Sequence, residues 1–509
     1  MIKIKWFPEL TIVVAIFSFF FLSFFKLTKK VSWLLSNIFL FCILSSILLN
    51  LFFLKFKYIN SDFYSCYRVD FLGLIFKLIF LFGLLVVFLH KEKSSSYYFF
   101  VFTAVLGSFV LISSYDLLVL FVGLEILSIA NYLLLSQESL AQKLVLQEDV
   151  TDAFLNNIAI SCVASCFLLY SISFFYGLTG STNFFALQQK LDSLVVGEYS
   201  LFTYFALFFL LFGFLLKLSF IPFYNLKITI HKNCSFNFLG INFLIRIPIF
   251  AFFLRTILVV YTPLLSSDAW KEDIYPFFTF IVFSLLFIGS LALFFSRKLR
   301  SLLFYLEVLN FGILLVPLAV FIVCLKYLII PLNALLASFF VAVFLCLLSF
   351  VVAYIGFIII LDILEENRNK ESFKNELRDD LSLFLGLYQR NPFLAVALTV
   401  FLFSLSFVPF TIGFNSKTYL LMYVISSQGF FVLLLVFLAI FASYYFIFTL
   451  LRRVYLSKDN SSDFKFFKLR LPTKLALWIC LAVVLCFGIF WKVNVNYLSK
   501  INWASTFRK

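Results

Sequence analysis

Long apolar runs recur along almost the whole of this chain, and short charged segments separate them. A helix of roughly 20 apolar residues spans the hydrocarbon layer of a membrane, and most of the runs have about that length. Hydrophobic residues make up 63% of the sequence and charged residues only 13%, a balance that excludes a soluble globular domain. The sequence therefore predicts an all-α polytopic membrane protein with about 14 transmembrane helices.

Two of the runs are too long for one straight crossing of a membrane, namely residues 328–362 and 393–428. We expect the first to be a tilted helix that begins after Pro331. The second contains Pro409, which has no N–H to donate and whose ring clashes with the carbonyl of the preceding turn. We therefore expect this run to form a helix that is broken near the middle of the membrane.

The same kind of interruption occurs in the first half of the chain, where Pro222 lies inside an apolar run. Backbone carbonyls freed at membrane depth are tolerated only where they are buried in protein or line a polar cavity. Interrupted helices at corresponding positions of two halves are typical of transporters built from repeats, with the ion site at the breaks. Lys217 lies just before the first break and Lys417 shortly after the second, so each half offers this site one ionisable residue.

Charged side chains inside the runs are the next candidates, because each costs about 2.5–3.5 kcal/mol at the centre of a membrane. Glu125 is the clearest acid, and a purely structural partnership with a buried lysine or arginine is the alternative. Lys217 is the clearest base, and a side chain that reaches the interface is the alternative. A lysine suits a proton relay better than an arginine, because burial can neutralise a lysine whereas an arginine stays charged.

We predict that Glu125 and Lys217 form an ion pair that opens and closes. A nearby carboxylate favours the charged form of a buried lysine, and desolvation without that carboxylate favours the neutral form. Asp116 and Asp152 are the competing acids in this prediction, and Arg246 is the competing base. Three further charged residues leave a functional role and a packing ion pair equally open: Lys77, Arg255 and Glu307.

The composition predicts no cofactor or metal centre in this chain. The nine cysteines are scattered through apolar runs, and His90 and His231 are the only histidines, with His231 predicted in a loop. Metal sites need clustered ligands, so the class of metalloproteins is disfavoured. The net charge of +15 lies in loops beside the membrane. The most basic loop, Arg452–Lys474, is predicted to face the negatively polarised compartment, with both termini on the opposite side.

Several segments of the chain resemble the antiporter-like membrane subunits of respiratory complex I. They are Asp116–Ser128, Phe214–Phe223, Leu299–Tyr305 and the region from Arg390 through Pro409 to Lys417. A further segment, Tyr176–Asn183, reads Tyr-Gly-Leu-Thr-Gly-Ser-Thr-Asn and resembles one branch of that family in particular. The resemblance extends over about residues 70–455, and the two ends of the chain are only generically apolar.

The resemblance implies a subunit of the proton-pumping membrane arm of NADH:ubiquinone oxidoreductase, built from two inverted five-helix repeats that each contain a broken helix. It divides the chain into three N-terminal helices (1–92), a first repeat (93–262), a second repeat (263–452), and a basic loop with a C-terminal helix (453–509). The implied partners are neighbouring membrane-arm subunits, including other antiporter-like ones, and membrane lipids, without nucleic acid. FMN, iron–sulfur clusters and quinone are expected in other subunits.

The resemblance also implies a proton path through Glu125, Lys217, Lys417, Arg246 and Arg300. Glu125 matches the family's essential glutamate, Lys217 its central lysine and Lys417 the lysine of its second broken helix. The chain departs from the family elsewhere, because lysines are replaced by Asn156, Arg246 and Arg300, and a histidine by Asn310.

These departures leave two alternatives open, a path in which water bridges the altered segment and a path that is itself altered. They also support a structural subunit that has lost transport, and a free-standing cation/proton antiporter is the other alternative function. The implied location is the mitochondrial inner membrane, since 78 phenylalanines against 2 methionines indicate an AT-rich, organellar genome. The bacterial plasma membrane is the alternative location.

Overall fold

The computed structural model describes residues 7–25, 28–55, 66–141, 144–195, 200–218, 224–258, 268–327, 332–371, 380–426, 430–456, 469–490 and 495. Seventeen α-helices of ten residues or more form this part of the chain. The first ten are α1 Phe7–Phe24, α2 Lys29–Lys55, α3 Phe71–His90, α4 Ser95–Ser113, α5 Leu117–Ala141, α6 Leu144–Thr179, α7 Phe184–Val195, α8 Ser200–Leu218, α9 Tyr224–Asn233 and α10 Phe236–Thr256. The other seven are α11 Asp268–Phe295, α12 Leu299–Tyr327, α13 Leu332–Glu371, α14 Pro392–Leu405, α15 Ile412–Ser426, α16 Phe430–Leu451 and α17 Leu471–Ile489.

The predicted all-α membrane architecture is confirmed. Within the described ranges, 13 helices are long and apolar enough to cross a membrane, and the shorter apolar helix α14 joins them. Their buried and exposed residues are both apolar, as expected for helices that face protein on one side and lipid on the other. Backbone groups in hydrocarbon must be paired within the chain, which is why these runs form helices.

The two overlong runs have different structures. Residues 332–371 form one continuous helix, α13, and most of its residues from 335 to 364 are buried. The other run is broken as predicted, because α14 ends at Leu405 and α15 begins at Ile412 on either side of Pro409. Phe410 in this break has a positive φ of 69°, the left-handed backbone conformation that side chains other than glycine rarely adopt.

The corresponding break in the first half lies partly outside the described residues. Helix α8 ends at Leu218 and α9 begins at Tyr224, and Pro222 falls between them, outside the described part. The prediction that His231 lies in a loop is wrong, because His231 is buried within α9. A search for apolar runs long enough to span a membrane does not detect this ten-residue helix. It does not detect the twelve-residue helix α7 for the same reason.

The chain divides into two compact units, the first of Met1–Cys234 with Ile241–Lys271 and the second of Ser235–Gly240 with Glu272–Lys509. The predicted boundary between the repeats, at residues 262 and 263, lies outside the described residues and stays a prediction.

In the first unit, backbone hydrogen bonds join the connecting segments at one end. The amide of Tyr115 donates to Cys66 at 2.8 Å, and the amide of Phe184 donates to Tyr115 at 3.0 Å. The family-like segment Tyr176–Asn183 contributes to the same end, because Thr182 donates its hydroxyl to Asp116 at 2.9 Å.

Candidate functional site

The predicted contact between Glu125 and Lys217 is present in the first unit. Glu125 lies near the middle of α5 and Lys217 in the last turn of α8, and Lys217 Nζ is 3.2 Å from Glu125 Oε1. The two side chains differ in access, since 2% of the lysine side chain is exposed and 31% of the glutamate. The ammonium is therefore shielded by protein, while its carboxylate partner lies at the edge of the buried region.

Two serine hydroxyls complete this site. Lys217 Nζ donates to Ser128 Oγ at 2.9 Å, one turn beyond Glu125 on α5. Ser165 on α6 donates its hydroxyl to Glu125 Oε1 at 2.5 Å. Neither serine was predicted as a member of the site, although Ser128 has the three-residue spacing from Glu125 that places two side chains on one helix face. Ser165 lies 40 residues from Glu125, and nothing local in the sequence indicates its position.

Close packing of the helices fixes these groups. Helices α4 and α5 approach at Gly107 and Gly123, where an added Cβ on Gly123 would lie 3.0 Å from the amide nitrogen of Leu111. Small residues permit this approach of two helix backbones in a membrane protein. On the other side of the site, Ala164 of α6 packs with Leu216, the residue before the lysine. Close packing therefore sets the positions of the helices that carry Glu125 and Lys217.

The competing acids and the competing base do not take part in this contact. Asp116 begins α5, where it accepts from the amide of Leu118 at 2.8 Å, and it is nine residues, or about 13 Å of helix, from Glu125. Asp152 is exposed in α6. Arg246 is buried in α10 one turn after Asn242, and Asn242 accepts a 3.4 Å hydrogen bond from Asn131 of α5. Asn156, which replaces a family lysine, is half-buried in α6.

Lys417 lies in α15, and its ammonium reaches the break in the second unit. Its Nζ donates to the carbonyl oxygens of Leu405 and Ser406, at 2.8 Å for Ser406, and only 4% of the residue is exposed. These are carbonyls at the C-terminal end of α14, where a helix carries partial negative charge. Among the described residues Lys417 forms no salt bridge, so the broken helix takes the place of a carboxylate.

Arg300 and Glu307 lie on α12, also in the second unit. Arg300 near the start of the helix forms a 2.7 Å ion pair with Glu365, and both side chains are partly exposed. Glu307, two turns further on, is fully buried and accepts a hydrogen bond from Tyr354 of α13. Asn310, which replaces a family histidine, donates to the carbonyl of Leu306 on its own helix at 2.9 Å.

Two buried bases whose roles the sequence left open form ion pairs in the first unit. Arg255 binds both oxygens of Asp70, at 2.7 and 2.8 Å. Lys77 is 2.9 Å from Glu9. Asp70 lies 185 residues from Arg255 in the sequence, and Glu9 lies 68 residues from Lys77. Because of these separations, neither partner was predicted.

The arrangement is chemically suited to holding and passing protons. The described residues contain no group of three or more histidine, cysteine, aspartate or glutamate side chains that could hold a metal ion. The groups that the helices bring together are carboxylates, ammonium groups and hydroxyls, which exchange protons directly or through water.

Comparison with known proteins identifies the family. Residues 114–442 match the family described as NADH:quinone oxidoreductase/Mrp antiporter, membrane region. The NADH-quinone oxidoreductase subunit N of Anoxybacillus flavithermus is 30% identical over 370 residues, which cover 69% of this chain and 67% of that protein. The subunit N of a Paenibacillus species is 26% identical over 84% of this chain and 79% of that protein.

Solved structures share the fold. A chain of respiratory complex I from Thermus thermophilus has a TM-score of 0.72 and 20% identity, covering 96% of this chain and 99% of that one. A chain of the Mrp complex from a Dietzia species has a TM-score of 0.77 and 14% identity, covering 100% and 99%. The chain therefore belongs to the NADH:quinone oxidoreductase/Mrp antiporter family of membrane subunits, in the branch whose curated bacterial members are named subunit N.

Proposed function

We propose that this chain translocates protons as a core membrane subunit of an NADH:quinone oxidoreductase. The observation that carries the proposal is the contact between the buried ammonium of Lys217 and the partly accessible carboxylate of Glu125. The curated relatives are named as subunits of that enzyme, which supports the same assembly for this chain. Redox chemistry, with its FMN, iron–sulfur clusters and quinone, belongs in this proposal to other subunits.

The ion pair links the conformation of the protein to a proton. While Glu125 is near, its charge stabilises the ammonium of Lys217, which therefore keeps its proton. When Glu125 moves away, desolvation favours the neutral amine, and the proton leaves toward the next acceptor. A change of a few ångströms in one contact is therefore enough to load and release a proton, provided that the two helix arrangements are both populated.

Lys417 serves the second unit in this proposal. Its ammonium is stabilised by carbonyl dipoles of the broken helix, so a rearrangement of the break changes the free energy of its charged form. Arg246 and Arg300 stay charged throughout, because a guanidinium does not release its proton in a protein. We therefore assign them electrostatic roles, with water carrying protons past the positions where the family has lysines.

The neighbouring subunits, other antiporter-like chains among them, and membrane lipids are the proposed partners. For the location we propose an energy-transducing membrane. The phenylalanine bias favours the mitochondrial inner membrane, and the bacterial relatives favour the plasma membrane.

A carboxylate-to-amide change tests the proposal. Glu125→Gln removes the charge beside Lys217, and we expect proton pumping per NADH oxidised in reconstituted vesicles to fall by about tenfold or more. The matched control is Glu138→Gln on the same helix, whose carboxylate pairs with Lys93 at 3.7 Å. The Glu138→Gln complex should pump normally. Normal pumping by an assembled Glu125→Gln complex would contradict the proposal.

Two alternative functions use the same fold. A free-standing cation/proton antiporter is supported by the structural likeness to a chain of an Mrp complex, and it predicts that the chain purifies without NADH-oxidising activity. A structural subunit that has lost transport is supported by Asn156 and Arg246 at family lysine positions, and it predicts that Glu125→Gln changes nothing.

A further inference from the structure

A second buried pair of glutamate and lysine lies in the N-terminal helices, before the region that matches the family. Lys77 of α3 approaches Glu9 of α1, with 2.9 Å between Lys77 Nζ and Glu9 Oε1. Tyr67, in the segment before α3, donates its hydroxyl to the same carboxylate oxygen at 2.6 Å and accepts from Lys77 at 3.3 Å. The family match begins only at residue 114, so none of these three residues belongs to it.

This cluster has the same division of access as the central pair. The Lys77 side chain is 2% exposed, and the Glu9 side chain is 17% exposed. The Glu9 side chain is therefore the less buried of the two, although its Oε2 atom is itself buried. Here one hydroxyl binds both charged groups, whereas in the central site Ser128 binds Lys217 and Ser165 binds Glu125.

The ammonium of Lys77 has contacts that do not depend on the charge of Glu9. Its Nζ lies 4.6 Å from the centre of the Phe109 ring and 5.6 Å from that of Tyr67. A cation over the face of an aromatic ring is stabilised by about 0.5–2 kcal/mol, with the larger values in desolvated sites. These contacts do not involve the carboxylate, so they stabilise the ammonium also when Glu9 is neutral.

The carboxylate of Glu9 is hydrogen-bonded on one side only. Oε1 accepts from both Lys77 and Tyr67, while the buried Oε2 accepts no hydrogen bond within the described part of the chain. An ionised carboxylate normally uses both oxygens as acceptors. Oε2 is thus the atom at which a proton is added with no hydrogen bond broken.

Tyr67 stays a donor throughout. Burial, and next the negative charge of Glu9, raise the pKa of the Tyr67 phenol well above its ordinary value. The nearby charged groups Asp70 and Arg255 are bound to each other through two hydrogen bonds. Tyr67 therefore serves as a fixed hydrogen-bond donor to Glu9.

We propose that Glu9, Lys77 and Tyr67 form a second proton-binding site, in which Oε2 of Glu9 takes up a proton. The new O–H bond neutralises the carboxylate, and Lys77 keeps its own proton and its contacts with Tyr67 and Phe109. The site changes from no net charge to one positive charge, and α1 loses its electrostatic attraction to α3. The proposal goes beyond the proposed function, because a proton can bind here whether or not the central pair pumps.

A hydrophobic carbodiimide tests the proposal on the unaltered complex. The reagent takes the proton of a carboxylic acid and bonds to its oxygen, and it does not react with an ionised carboxylate. We expect mass spectrometry of the labelled chain to find the adduct on Glu9, with a yield that rises as the pH is lowered. Glu125→Gln should leave this labelling unchanged, which separates the result from the fate of the proposed function.

Two substitutions sharpen the test. Lys77→Met removes the positive charge that favours the ionised form of Glu9, and Tyr67→Phe removes a hydrogen bond to that form, so each should raise the yield on Glu9 severalfold at a given pH. The matched control is Lys93→Met, beside Glu138, which should leave the yield on Glu9 unchanged. If Glu9 stays unlabelled at every pH in both the unaltered chain and Tyr67→Phe, the pair is a permanent structural contact and the proposal is wrong.

Discussion

Glu125 and Lys217 differ in how far the chain itself buries them. The carboxylate is about one-third exposed, whereas the ammonium contacts only protein groups. A buried ammonium depends on those groups because it has exchanged its hydration shell for them. The hydroxyl of Ser128 therefore carries part of the stabilisation of the charged state.

Replacement of Ser128 tests this dependence. Ser128→Ala removes a 2.9 Å hydrogen bond to a charged group, a change worth about 1.5–3 kcal/mol, and we expect the pumping rate to fall about tenfold. Ser128→Thr keeps the hydroxyl and should restore most of the rate. Ser136→Ala on the same helix, where the hydroxyl bonds to the Leu133 carbonyl, is the control. Equal rates for Ser128→Ala and this control would argue against a role for the hydroxyl.

The pair of Arg255 and Asp70 has a structural role at the same scale. Arg255 also donates to the carbonyls of Ile112 and Ser114, so one guanidinium joins α10 to the start of α3 and to the end of α4. Tyr115 reinforces the contact, with its hydroxyl 2.9 Å from Asp70 and its ring under the guanidinium. These contacts favour packing as the role of Arg255.

Loss of one partner of this pair should destabilise the subunit strongly. Arg255→Leu leaves Asp70 charged and buried, and such changes cost about 3–5 kcal/mol. We expect a large loss of assembled complex and of thermal stability in detergent. Lys93→Met, which removes a longer and more exposed ion pair, should cost about 1 kcal/mol or less. Similar stabilities for the two variants would show that the Asp70 contact is not a clamp.

At the scale of elements, the break between α14 and α15 depends on a helix outside the family match. Gly488 of α17 lies against the break, and Asn415 donates its side-chain amide to the Gly488 carbonyl. Tyr444 of α16 donates to the carbonyl of Phe407, so a second helix supplies a hydrogen-bond donor to a backbone carbonyl of the break. The break is therefore buttressed by protein, which is the condition under which a broken helix survives at membrane depth.

An added methyl group at this contact should disturb the break. In Gly488→Ala the new Cβ would lie 2.6 Å from the carbonyl oxygen of Phe410, and overpacking of this kind costs about 1–3 kcal/mol. We expect lowered pumping with NADH oxidation and assembly largely retained. Gly177→Ala is the matched control, because nothing lies within 4 Å of a Cβ added there. Unchanged pumping by Gly488→Ala would exclude a role for α17 in holding the break.

The sequence predicts the spans and the second break well because each follows from a local rule. Apolar length decides which segments are membrane helices, and Pro409 cannot continue a helix. The short helices α7 and α9 are missed because their apolar content is too low for a span and a single-sequence pattern gives no other signal. The contacts of Lys77, Arg255 and Glu307 are missed because each joins residues at least 47 positions apart in the sequence.

At the scale of the whole molecule, the fourteen predicted runs place both termini on one side and most basic loops on the other. The contact of Glu125 with Lys217 was predicted from depth and family likeness, because both residues lie in the interior of apolar runs that belong to one repeat. The two serines that complete the site lie on α5 and α6, and only the folded chain shows which hydroxyls face the pair.

Labelling of one loop lysine tests the predicted orientation. The segment Arg452–Lys474 carries seven lysines and arginines, and such loops stay on the negatively polarised side. An amine reagent that does not cross membranes should modify Lys465 in vesicles that expose the inner face. It should leave Lys465 unmodified in vesicles of the opposite orientation. Modification from the outer face of sealed vesicles would reverse the orientation.

A double-variant cycle on the central pair measures the main proposal most directly. Glu125→Gln, Lys217→Met and the combined variant would each be compared with the unaltered complex for proton pumping per NADH oxidised, with assembly as the control. Two residues that act as one switch are not additive, since the second substitution removes a group that has already lost its function. We predict that each single variant lowers pumping about tenfold or more and that the combined variant pumps about as well as the worse single variant. Independent effects that multiply in the combined variant, or a Glu125→Gln complex that pumps normally, would contradict a switch built from Glu125 and Lys217.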